Sequence, residues 1–243
     1  MYATLIVVAV VWGGATGLLL PRAAYRLSVE PDRPWRDTCP AGHPIAGPAG
    51  GWLGGTRCAS CDAGAPSILI PLLTALVCAA LAAATGPRPE LAVWLLFTPF
   101  AVLLALVDRH VHRLPDQLTL PLAAAAAVLL GVAALLPGAG GSWSLALLGG
   151  LALGVCYFVL FLINPNGMGF GDVKLALSLG VALGWYGWLV LFVGAFAGFL
   201  LGALYGLGLI LLRRAGRKSA IPFGPFMITG ALTGILLGAL AVA

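Results

Sequence analysis

Charge is what this chain lacks. Of its 243 residues only 9% are Asp, Glu, Lys or Arg, while 61% are hydrophobic; soluble domains carry roughly 25% charged residues. So few charges cannot dress a water-exposed surface, which excludes a soluble globule and makes the bilayer the solvent for most of the molecule. Acids are scarcer still, eight in all, so the candidates for acid–base chemistry form a short list. The thirteen Lys and Arg residues sit in short loops between apolar runs. That excludes a broad basic face for a nucleic-acid partner and suits orientation and headgroup contact instead. No basic stretch precedes the first apolar run, Met1 to Leu20, and no small-residue cleavage site separates it from Pro21-Arg22. It reads as a retained span and not as a cleaved signal. No internal repeat and no glycine-rich nucleotide loop stand out.

What the sequence does hold is a succession of apolar runs. Spanning takes about 20 such residues, and runs of that order occur at 1–20, 67–86, 90–107, 118–136, 143–163, 174–187, 188–212 and 221–243. The expected fold class is all-α: a polytopic membrane protein of about eight transmembrane helices. Gly86-Pro87, Pro137-Gly138 and Asn164-Pro165-Asn166-Gly167 mark turns between them. Trp185 and Trp188 suggest an interfacial belt at the boundary of the sixth and seventh spans, and Gly194 and Gly198 would let helices approach closely. Alternating the spans puts the loops 21–66, 108–117, 164–173 and 213–220 on one side. Twelve of the thirteen Lys and Arg residues lie in or beside those loops, and only Arg88 lies opposite. Such a bias marks the cytoplasmic face. Two regions follow: 1–66, the first helix with a polar Cys/His loop, and 67–243, a helical membrane domain.

Of the eight acids, Glu30, Asp32, Asp37 and Asp62 fall in the long loop and Glu90 in an outer turn, where each is expected to be solvated. Asp108 directly follows the apolar run Ala101–Val107, and Asp172 follows Gly167-Met-Gly-Phe-Gly171. Ionisable groups at membrane depth are costly and point to function. Asp172 is a natural N-cap for a helix opening at Val173, and Asp116 for the fourth span. Asp108 instead ends a helix, where the macrodipole disfavours a negative charge. Two carboxyls sharing a proton supply a base that activates water and an acid that protonates a leaving amine. The same three acids would also serve as relay groups in a transporter or ion pathway. Against that stands their clustering at one face, with no inverted repeat.

Three stretches carry a resemblance: Asp108-Arg-His-Val-His-Arg-Leu-Pro-Asp116-Gln-Leu-Thr, Gly169-Phe-Gly171-Asp172-Val-Lys174-Leu, and Ile221-Pro-Phe-Gly-Pro-Phe226. In this order they resemble the type IV prepilin peptidases, intramembrane aspartyl proteases of the Gly-x-Gly-Asp class, over about residues 91–240. The resemblance implies Asp108 and Asp172 as the catalytic pair, with Asp116, Gly169, Gly171 and Lys174 supporting. It also implies prepilin-like protein substrates, cleaved after a short basic leader at the cytoplasmic face of a bacterial inner membrane.

Cys39-Pro-Ala-Gly-His43 and Cys58-Ala-Ser-Cys61 offer four ligands at spacings suited to tetrahedral zinc. Cytoplasmic thiols stay reduced, which argues against disulfides. Many members of the resembled family carry two Cys-x-x-Cys pairs here; His43 takes the place of the fourth thiol. Many also methylate the new amino terminus with S-adenosylmethionine. This chain keeps Arg22 and Arg26 of the corresponding element but has Gly17-Leu-Leu-Leu-Pro21 in place of its Ser and Asn, so methylation rests on the resemblance alone.

Overall fold

A computed structural model describes residues 2–30, 33–56, 58, 61, 67–165, 167–212 and 221–242. Asp32, Arg57, Asp62, Asn166, Arg213, Arg214, Arg217 and Lys218, which entered the reading of the loops, lie outside the described residues. Those described form no strand beyond an isolated bridge between Thr38 and Pro44. The helices are α1 (Tyr2–Leu27), α2 (Pro48–Gly51), α3 (Leu69–Thr85), α4 (Glu90–Val111), α5 (Asp116–Ala134), α6 (Trp143–Ile163), α7 (Phe170–Gly184), α8 (Trp188–Leu211) and α9 (Gly224–Ala241). Apart from the single turn α2, these are the eight apolar helices expected.

Six of them, α1, α4, α5, α6, α8 and α9, are long and apolar enough to cross a membrane. Helix α3 has 17 residues and α7 only 15. At 1.5 Å per residue α7 is about 22 Å long, short of the roughly 30 Å hydrocarbon core. It has little contact with lipid to satisfy, because α5, α6, α8 and α9 all pack against it. Outward-facing Leu76, Val128, Leu189, Phe192 and Leu204 are exposed, a belt that only hydrocarbon can cover. The multi-pass membrane character thus follows from the helices themselves.

Small residues set the closest approaches. A methyl on Gly180 of α7 would sit 2.9 Å from the Gly150 Cα of α6. Where α8 meets α9, one on Gly198 would sit 3.3 Å from the Met227 Cα. Backbone-close packing of this kind replaces the hydrophobic drive that lipid removes.

Several boundaries differ from the sequence reading, each for a local reason. Helix α1 runs through Pro21 for a further turn and a half, which brings Arg22 and Arg26 onto the helix. Arg22 donates to the carbonyls of Ala46, Leu53 and Gly55, and Arg26 to that of Gly50, with its guanidinium 4.2 Å above the Trp52 ring. The 46–55 stretch of the polar loop, which is too poor in aliphatic residues to form a core, is therefore wrapped around two arginines of α1.

At the opposite end, Glu90 is not solvated as expected. Its side chain is fully buried, accepts a hydrogen bond from the Gly140 N–H at 3.1 Å, and lies 3.8 Å from Arg88. Arg88 also donates to the Ala239 carbonyl at 3.0 Å, tying α4, the α5–α6 turn and the end of α9 together. A buried charge needs such partners, and Arg88 supplies one. Trp185 is likewise buried under Gly141 and not interfacial; Trp188 is the residue that faces outward.

Candidate functional site

Asp108 lies in the last turn of α4 and is 4% exposed. His112, in the left-handed region at φ 51°, closes that helix, its N–H donating to the Asp108 carbonyl at 2.8 Å. The side chain finds its partner across the molecule: the N–H of Gly224, first residue of α9, donates to Asp108 Oδ2 at 2.9 Å. The negative pole of one helix thereby meets the positive pole of another, which offsets the unfavourable placement. Gly224 is required for that approach, since a Cβ there would lie 2.8 Å from the same oxygen.

Asp172 is 7% exposed and belongs to the first turn of α7. The helix opens at Phe170, not Val173, so Asp172 is three residues inside the Gly169 cap instead of being the cap. Its Oδ2 accepts from the Gly169 N–H at 3.3 Å while its own N–H donates to the Gly169 carbonyl at 3.0 Å, a reciprocal capping arrangement. The two carboxyls are within electrostatic reach of each other. Two buried acids, each on a backbone N–H at a helix start, thus lie within electrostatic reach at one end of the bundle.

The supporting candidates divide. Gly171 makes room for the connection after Asp108: a Cβ there would lie 3.0 Å from the Leu114 Cβ, and Leu114 is buried. Lys174 does not reach the carboxyl pair. Its ammonium is 2.7 Å from Asp116 Oδ1, and Asp116 itself opens α5 without capping it. Sequence reasoning missed Tyr157, a buried α6 residue within electrostatic reach of Asp172 whose ring packs against Phe199 and Phe223. Nothing in its apolar run singles it out. It also missed Gly224 as an individual residue, although the stretch Ile221–Phe226 signalled the region.

Away from this pair, Cys39, His43, Cys58 and Cys61 place one ligand atom each within 4.8 Å of one another. The bridge between Thr38 and Pro44 pinches a tight loop in which the Cys39 N–H donates to the His43 carbonyl at 2.8 Å. This brings His43 Nδ1 to 3.6 Å from Cys39 Sγ, with Cys61 Sγ at 3.7 Å. Partial burial opposes ionisation of the Cys39 thiol. Hydrogen bonds from the backbone at His43 and Ala41, and from the His43 and Cys61 side chains, outweigh it and bring the pKa down to about 6. The cluster can hold a metal ion: two sulfurs about 3.7 Å apart match the edge of a tetrahedron with bonds of about 2.3 Å.

Residues 95–207 match the model of the type IV leader peptidase family. The chain is 36% identical over 190 residues to the prepilin leader peptidase/N-methyltransferase of Aeromonas salmonicida, an alignment covering 77% of this chain and 64% of that protein. It is 32% identical over 228 residues to the protein of the same name from Pseudomonas aeruginosa, covering 91% of this chain and 73% of the relative. The chain belongs to this peptidase family. It spans 64% of the length of the Aeromonas relative. No solved structure matches it.

Proposed function

We propose that this family member is an intramembrane aspartyl endopeptidase that removes the short basic leader from type IV prepilin-like proteins, with Asp108 and Asp172 as its catalytic pair. The observation that carries this reading is two buried carboxyls, drawn from α4 and α7 and within electrostatic reach of each other at one end of the bundle. One carboxylate takes a proton from water as the water oxygen bonds to the peptide carbonyl carbon. The other carboxyl, protonated, gives its proton to the amide nitrogen as the carbon–nitrogen bond breaks. Two products leave and the pair is restored with its proton exchanged. Such a coupled pair titrates as a unit, giving a bell-shaped dependence of activity on pH. The charge bias of the loops supports a cytoplasmic location for this end.

The cluster of Cys39, His43, Cys58 and Cys61 is proposed to hold structural zinc, since four protein ligands leave no open position for catalysis. Methylation of the new amino terminus, the second activity in the relatives' names, would draw on S-adenosylmethionine. A relay function for Asp108, Asp116 and Asp172 is not favoured, because Asp116 is engaged by Lys174 and the acids lie at one end.

The deciding experiment incubates purified protein with a prepilin, with and without S-adenosylmethionine, and reads the products by mass spectrometry. Wild type should cleave; Asp108→Asn and Asp172→Asn should each abolish cleavage while remaining inserted and folded. Wild-type rates in either variant would end the aspartyl-protease reading.

A further inference from the structure

Lys174 lies two residues beyond Asp172, yet the two side chains serve different neighbours. At 3.6 residues per turn they diverge by about 200° around α7, so Asp172 faces the Asp108 carboxyl while Lys174 faces the start of α5. There the ammonium is held twice, by Asp116 Oδ1 at 2.7 Å and by the Phe170 ring at 4.8 Å. Phe170 in turn packs on Phe161 of α6, ring centres 5.3 Å apart. The segment that connects Asp108 to Asp116 is fastened at three points. His112 closes α4 in a left-handed conformation, Leu114 is buried against Gly171, and Asp116 reaches Lys174. The contacts at Leu114 and at Asp116 are both made to the first turns of the helix that carries Asp172.

The pair is poorly placed to stabilise the fold. The Asp116 side chain is 61% exposed and that of Lys174 17%, and ion pairs open to solvent contribute little. What it does supply is register between two chain segments, each bearing one carboxyl of the proposed catalytic pair.

We propose that the Asp116–Lys174 ion pair is a positioning clamp. It holds the segment after Asp108 against the start of α7 so that the two carboxyls keep the separation hydrolysis needs. Neither residue touches the reacting atoms. The inference rests on the peptidase reading for its consequence in catalysis, but the clamp itself is testable without it.

The test compares full-length wild type, Asp116→Asn, Lys174→Gln, the double variant and Lys174→Arg, reconstituted in nanodiscs. Hydrogen exchange, read on peptides covering 109–118, should accelerate about 2- to 5-fold in either neutralised variant, the fold-change an exposed ion pair can supply, and stay near wild type in Lys174→Arg. In prepilin cleavage, each neutralised variant should lower kcat about 10- to 100-fold with KM within about twofold. The double variant should be no slower than the slower single one, because both remove the same interaction. Lys174→Arg should recover most of the rate, since it keeps the charge. Unchanged exchange together with wild-type kcat would overturn the clamp, as would losses that multiply in the double variant. Should Asp116→Asn fail to accumulate, the contrast between Lys174→Gln and Lys174→Arg decides alone. A wild type that cleaves nothing would sink the peptidase reading and leave the clamp to be judged by exchange.

Discussion

Asp108 occupies the wrong end of its own helix, and the remedy comes from a glycine 116 positions further along the chain. Local reading exposes the problem but not the solution, because a hydrogen bond of that sequence separation leaves no periodic trace. Asp172 was more legible, since its partner Gly169 is three residues away; only its place within the first turn was misread. Glu90 was misread outright, because solvation is the default for a turn acid and nothing nearby announces that Gly140 and Arg88 close over it. At this scale the strongest prediction concerns Gly224. Gly224→Ala introduces a methyl 2.8 Å from Asp108 Oδ2, and α9 must retreat or the carboxyl must turn. Cleavage by the folded variant should fall up to about 100-fold, the loss that misplacing a reacting group by about 1 Å can bring. Cleavage rates normalised to folded protein by size-exclusion chromatography check this, and a rate within twofold of wild type would count against it.

The helices themselves were readable because hydrophobicity over some twenty residues is a signal no loop imitates. Their ends were less so. The Pro21 position looks like a stop, yet α1 continues through it because the arginines beyond have carbonyl partners in the loop. Helix α7 begins three residues before Val173, because a glycine and an acid make a sound helix start. The polar loop was legible as a chemical inventory, four ligands in two clusters, but not as a shape. Within that loop the Arg22 and Arg26 contacts gather residues 46–55, and the Cys/His cluster gathers Cys39, His43, Cys58 and Cys61. Elemental analysis should find about one zinc per chain, lost in Cys58→Ser and Cys61→Ser and weakened in His43→Ala. Acidification should release the metal, since protons compete with it for the thiolates. Full zinc occupancy after His43→Ala would place the fourth ligand elsewhere.

Across the whole molecule, polar chemistry gathers at the two ends of an apolar bundle and the ends have different tasks. The Asp108 end holds the proposed catalytic pair. The Glu90 end ties α4 and α9 to the turn before α6, about 27 Å away along α4 at 1.5 Å per residue. Glu90→Ala would leave the Gly140 N–H and Arg88 without their carboxylate, a loss of about 1–3 kcal/mol, seen as a lower unfolding temperature in detergent. Cleavage per folded molecule should be unaffected, and a large drop in kcat would show that the two ends are coupled.

The bond from Gly224 to Asp108 also bears on the order in which the molecule becomes competent. Helices α4 and α7 are synthesised before α9, so for a time during membrane insertion both aspartates are present but one has no seat. Until the later helix docks, a half-made chain carries both acids without the N–H that holds Asp108. On this architecture the seat of Asp108 is completed only by a helix made after both aspartates.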